Sequence, residues 1–190
     1  MSDQSSEGFL PVYGGYRKLY SYQKAEIIYD GTVYFTRRFF RPFDRTVDQM
    51  VQAARSGKQN IAEGSMASAT SKKTEIKLTN VAKASLEELL IDYQDFLRVR
   101  NLYLWESTHQ LVKRLQELNR STSTPTYETF KKAIEHDNPE ICANTMITLI
   151  NFATYLLRRQ LIKLEKDFLN EGGISERMAV ARKNHRNNHY

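Results

Sequence analysis

Met50, Ala54, Gly57, Ile61 and Gly64 recur at spacings of four, three, four and three, which sets them along one face of a helix. A glycine inside a helix costs about 1 kcal/mol relative to alanine. Gly57 and Gly64 on such a stripe point to a second backbone passing close by; the other reading of Gly64 is that it ends the helix. Residues 65–71, SMASATS, are rich in small hydroxyl side chains that bond the free N–H groups of a helix start, and Ser71 is the expected N-cap. Leu78, Ala82, Leu86, Leu89, Tyr93 and Phe96 then form one apolar stripe, with Ile76, Leu90 and Leu97 beside it and Lys83 interposed. A helix apolar over more than one face needs more than one neighbour. The pattern predicts a tight helical hairpin around which the rest of the chain is arranged.

Upstream, Ala25, Ile28, Thr32, Phe35 and Phe39 keep helical spacing until Pro42 ends the first helix near Arg41, and Asp44 is placed to cap the second. The third helix should run from about Lys72 to Arg100. Residues 101–108 read as a break, Leu111, Leu115 and Leu118 as a short helix, residues 121–125 as a linker, and 127–136 as a small helix. Asn138-Pro139 is a strong helix start. Met146, Ile150, Ala153, Leu157, Leu161, Leu164 and Phe168 then share one face until Gly172-Gly173. The expected fold is all-α: an up-down antiparallel four-helix bundle with short ancillary helices and a basic C-terminal tail. Its parts are an N-terminal arm over 1–18, a bundle domain over 19–172 and a tail over 173–190.

The 190 residues suit one domain, and 41% hydrophobic with 26% charged residues is ordinary for a soluble protein. The apolar runs look too short to span a bilayer, so no membrane partner is expected. A lone cysteine, Cys142, excludes an internal disulfide framework and reads as a small buried hydrophobe. With no signal-peptide pattern at the start, a cytoplasmic location is the expectation.

Enzyme signatures are scarce, and neither catalysis nor a cofactor is expected. Glu106 and His109 have the Glu-x-x-His spacing of di-iron bundles, but such sites need two of these motifs, and His136, His185 and His189 are scattered. Glu87, Glu88, Asp92 and Asp95 read as a solvated acidic face. No phosphate-cradling glycine loop and no nucleophile elbow occurs.

The net charge of +6 favours acidic partners. Arg37, Arg38, Arg41 and Arg45 surround the first turn, Lys72, Lys73, Lys77 and Lys83 follow the second, and Arg55 and Lys58 lie between. The two turns should fall at opposite ends of a bundle, so a continuous basic surface requires repetition by neighbouring subunits. Such a surface would hold phosphates in a salt-sensitive, largely sequence-blind way. Asn60 and Glu63 sit beside the small-residue stripe, where they either hydrogen-bond across the helix pair or contact a ligand.

Gln59-Asn60-Ile61-Ala62-Glu63-Gly64, followed by Val81-Ala82-Lys83-Ala84-Ser85-Leu86-Glu87-Glu88-Leu89, resembles the paired signature of a four-helix bundle family. That family includes the 23S rRNA intervening-sequence proteins and the accessory proteins of diversity-generating retroelements, and the resemblance covers roughly Tyr22 to Leu169. The arm and tail look more like its suffix branch, whose role is unassigned. Gly57, Asn60, Ile61, Glu63, Gly64, Ala82, Ser85 and Leu89 would form the structural signature. Many members carry glycine where this chain has Ala84, which implies a slightly wider helix contact there.

The resemblance also implies a closed homopentamer. The broad third helix and the aromatic first helix, with Tyr20, Tyr22, Tyr29, Tyr34, Phe35, Phe39 and Phe40, carry more apolar surface than one bundle should bury. The expected function is a non-catalytic, self-assembling protein that binds RNA or DNA backbone through repeated basic clusters. The alternative is an adaptor that binds another protein.

Overall fold

Local side-chain chemistry sets where the helices begin. In the computed structural model, which describes residues 15–171 together with 178–179, 182–183 and 186, Asp44 accepts a hydrogen bond from Thr46 N and opens one helix. Ser71 Oγ accepts from Thr74 N and opens the next, and Asn138 Oδ1 accepts from Glu140 N at the last. Each bond satisfies an amide that the first turn leaves without an intrahelical partner. The resulting helices are α1 (Tyr20–Phe39), α2 (Arg45–Ala67), α3 (Lys72–Val99), α4 (Gln110–Ser121), α5 (Tyr127–Ile134) and α6 (Pro139–Glu171), preceded by a single turn at Tyr16–Lys18. The described residues contain no strand. Residues 1–14 and most of the basic tail lie outside the described residues.

The helices are packed against one another: α1 on α2, α2 on α3, α3 on α6 and α6 on α1, while α5 rests on α6 and α1, and α4 on α6. Contacts along each pair give its sense. Ser56 meets Ser85 and Gly64 meets Leu78, so α2 and α3 run in opposite directions. Ser21 meets Gln160 and Arg38 meets Asp137, so α1 opposes α6. Thr32 meets Tyr93 and Phe39 meets Arg100, so α1 and α3 run the same way.

The hairpin predicted from the small-residue stripe is present. Met50, Ala54, Gly57, Ile61 and Gly64 are all buried, as are Ala82, Leu86, Leu89, Tyr93 and Phe96 opposite them. A Cβ at Gly57 would sit 2.7 Å from Leu86 Cδ2 and 3.6 Å from the Ala82 carbonyl oxygen, so close approach explains that glycine. Gly64 lies inside α2, three residues short of its end, and is not a terminator. α2 runs on through Ser65, Met66 and Ala67, which leaves only residues 68–71 for the turn.

Several finer expectations need correcting. Glu63 is exposed on the far side of α2. Asn60 donates within its own helix, to Ser56 O at 2.9 Å and Ser56 Oγ at 3.1 Å, and the bond that crosses to α3 is Ser56 Oγ to Ser85 Oγ at 3.0 Å. Ala84 is exposed, so a methyl there does not widen the α2–α3 contact. On α1, Phe35 is buried against Tyr93 and Phe96, at ring-centroid distances of 4.8 Å and 4.7 Å, and Phe39 and Phe40 pack beside them. Most of the aromatic surface of α1 is therefore spent within the chain, with Tyr20 at 60% exposure the main exception. Finally, α6 is one helix long and apolar enough to cross a membrane by length and composition, with 61% of its most apolar stretch buried against the other helices.

Candidate nucleic-acid interface

The C-terminal end of α1 and the start of α2 carry Arg37, Arg38, Arg41 and Arg45, all exposed. Arg38 reaches Asp137 at 3.4 Å, with both side chains largely in water, where an ion pair adds little. Among the described residues, Arg37, Arg41 and Arg45 have no carboxylate partner. Because α1 and α3 run in the same sense, α3 delivers two more cations to this end. Arg98 is paired with Asp95 at 2.8 Å, and the Arg100 guanidinium lies 3.8 Å from the Phe96 ring centroid while donating to the Phe39 carbonyl oxygen at 3.2 Å. That carbonyl is one of those a helix C-terminus leaves unpaired.

Between these arginines, Phe43 is fully exposed and has φ 66°. A bulky side chain in the left-handed region is uncommon, and such strained residues cluster at functional positions. Its neighbours explain the strain: Pro42 restricts the chain before it, and Asp44 must be extended to cap α2. An exposed aromatic ring among unpaired arginines offers both a stacking surface for a base and charge for its phosphate. The aromatic of the RPFDR loop was readable in the sequence; its full exposure was not. Along α1, a groove of about 460 Å³ lined by Tyr29, Val33, Tyr34, Arg37 and Arg38 leads away from this end, with Asp30 on its wall. Burial raises the Asp30 carboxyl, which Lys58 partly offsets.

The second cluster is smaller than its sequence. Lys72 Nζ lies 3.0 Å from Glu75, a nearly buried carboxylate, and Lys83 is paired with Glu87 at 2.6 Å. Lys73 and Lys77 remain exposed and unpaired among the described residues. Lys58 Nζ sits 4.1 Å from the Tyr29 ring centroid, and Arg55 is exposed midway along α2. With 23 residues in α2, the arginine end and the lysine end are separated by about 35 Å at 1.5 Å per residue. The chain does not merge them into one patch.

The other titratable groups have structural roles. His109 caps α4 through Nδ1, which accepts from Leu111 N, and its ring stacks on Trp105 at 4.2 Å, so the Glu106/His109 spacing serves a helix start. Among the described residues no cluster of three or more His, Cys, Asp or Glu could hold a metal ion. The Cys142 thiol is buried, donates to the His136 carbonyl oxygen at 2.8 Å, and is pushed up to about 11 by burial, which keeps it protonated and unreactive. Of the acidic face, Glu87, Glu88 and Asp95 are exposed, and burial raises the Asp92 carboxyl with help from Glu88 and Asp95. Comparison with protein-family models, curated proteins and solved structures finds no match to this chain.

Proposed function

We propose that the chain forms an up-down four-helix bundle of α1, α2, α3 and α6, related to the intervening-sequence and retroelement-accessory bundle proteins. We further propose that it assembles with copies of itself and binds single-stranded RNA through the arginine end. The Phe43 loop carries this reading: an exposed aromatic ring flanked in sequence by Arg41 and Arg45, with Arg37 in the last turn of α1 before it. Unpaired RNA is held by stacking on aromatic rings and by cationic grooves that follow its backbone. Lys73 and Lys77 at the start of α3, and Arg55 on α2, are separate charges that a neighbouring subunit would bring alongside the arginine end. The pentamer is taken from the resemblance. Support for assembly in general comes from α6, where Tyr155, Ile162 and Leu169 are 51%, 57% and 82% exposed at seven-residue spacing, an apolar line on one helix face. The second reading, an adaptor for another protein, rests on the same line.

The test is binding of a labelled single-stranded RNA across a salt series, with solution mass measured in parallel. Arg41→Glu with Arg45→Glu should weaken binding and reduce the salt slope by about 1 to 2. Phe43→Ala should weaken binding by about 1–3 kcal/mol with the slope unchanged. No association at low salt, or association indifferent to salt, sinks the RNA reading. A protein partner lost on Tyr155→Lys with Ile162→Lys, with RNA binding absent, would install the adaptor in its place.

A further inference from the structure

Where α4 and α5 fold against α6 they leave a cavity of about 330 Å³, at the small end of the roughly 300–1,000 Å³ typical of small-molecule sites. Leu111, Leu115, Leu118, Phe130 and Ile141 supply its apolar wall. Trp105 stands at its edge and is held from three sides. Its backbone N–H donates to Asn144 Oδ1 at 2.8 Å, its indole N–H donates to Glu140 Oε1 at 3.2 Å, and its ring stacks on His109. Such a ring is a wall fixed before any ligand arrives.

The polar lining is one-sided. Arg114, Lys132 and His136 line the cavity and no carboxylate does. Neither Arg114 nor Lys132 has an ion-pair partner among the described residues.

We propose that this cavity binds a small monocarboxylate with an apolar, aromatic body. The carboxylate faces Arg114, Lys132 and His136, and the ring lies on the leucine and Trp105 walls. The combination of cationic side chains without carboxylate partners and an apolar wall selects this class over a neutral apolar ligand.

The chain has one tryptophan, so Trp105 emission reports this cavity without a label. The probe is phenylacetate, titrated calorimetrically and by Trp105 emission excited at the red edge, with the neutral alcohol 2-phenylethanol as control. Saturable binding with a change in Trp105 emission is expected, and the alcohol should bind at least about tenfold more weakly, as the loss of a charge-assisted hydrogen bond implies. Arg114→Gln with Lys132→Gln, both on exposed side chains, should lower affinity for the acid about tenfold and leave that for the alcohol unchanged. The proposal is overturned by no saturable binding, by equal affinity for acid and alcohol, or by binding that leaves Trp105 emission unmoved.

Discussion

The two glycines of α2 should respond in opposite directions to the same added methyl. At Gly57 a Cβ would lie 2.7 Å from Leu86 Cδ2 and 2.9 Å from Leu86 Cγ, against about 3.5–4.0 Å for relaxed carbon contacts. Leu86 is 0% exposed, so it can yield only by displacing its packed neighbours. Overpacking of this kind costs about 1–3 kcal/mol. Replacing a helical glycine with alanine returns about 1 kcal/mol. Gly57→Ala should therefore destabilise the protein by about 1 kcal/mol, with an upper bound near 2. At Gly64 the nearest atoms to a new Cβ are the Glu75 carbonyl oxygen and Leu78 Cβ, both at 3.4 Å, which is ordinary contact. There the helix term dominates, and Gly64→Ala should stabilise by up to about 1 kcal/mol. The assay is urea unfolding followed by far-ultraviolet circular dichroism at one protein concentration, comparing midpoints at unchanged slope. Leu86→Ala serves as the control background, because removing the obstructing atoms should turn Gly57→Ala neutral or stabilising. Equal effects at the two glycines, or the same penalty at Gly57 in both backgrounds, would refute the close-approach argument.

Two further outcomes follow from buried polar groups. Lys24 is 4% exposed, its Nζ has no hydrogen-bond partner and lies 4.9 Å from the Phe130 ring centroid, and burial lowers it from 10.5 to about 8. Between those two values the unfolded chain binds the extra proton, so the Lys24 contribution to stability should rise with pH from about 8 and be flat below it; above 9 the buried Cys142 thiol, raised from 9.0 to about 11, contributes the opposite slope, so the net rise lies between about pH 8 and 9. At about 1.4 kcal/mol per pH unit, the charged amine costs about 3 kcal/mol at neutral pH. Lys24→Met should recover about 1–3 kcal/mol of this and abolish the rise, as read by unfolding at several pH values; an unchanged pH profile would remove Lys24 as its source. At the α2–α3 contact, Asn60 donates to Ser56 Oγ, which leaves the Ser56 hydrogen free for Ser85. A Ser56→Ala/Ser85→Ala double-mutant cycle should give a coupling of about 1 kcal/mol, and a value near zero would show that the bond contributes nothing.

Where helices start and stop was legible along the chain because caps and breakers act within a few residues. Asp44, Ser71, Asn138 and Pro42 do their work against neighbours two to four positions away, and the periodic stripes of α2 and α3 needed only each other. Gly31 is the counter-case. A Cβ there would meet Met146 Sδ at 2.7 Å, but Met146 is remote in sequence, so nothing local marked that glycine beyond its place in a helical pattern. The basic ends behave likewise. Charge alone named the lysines after the second turn, but not that Glu75 would engage Lys72, nor that α3 would bring Arg100 to the carbonyl of Phe39. The cavity beside Trp105 depends on α4, α5 and α6 meeting, which no stretch of sequence encodes by itself. Backbone hydrogen bonding and side-chain period are local and so can be read in one dimension; which charges pair, which rings remain exposed and where space is left over depend on elements that only folding brings together.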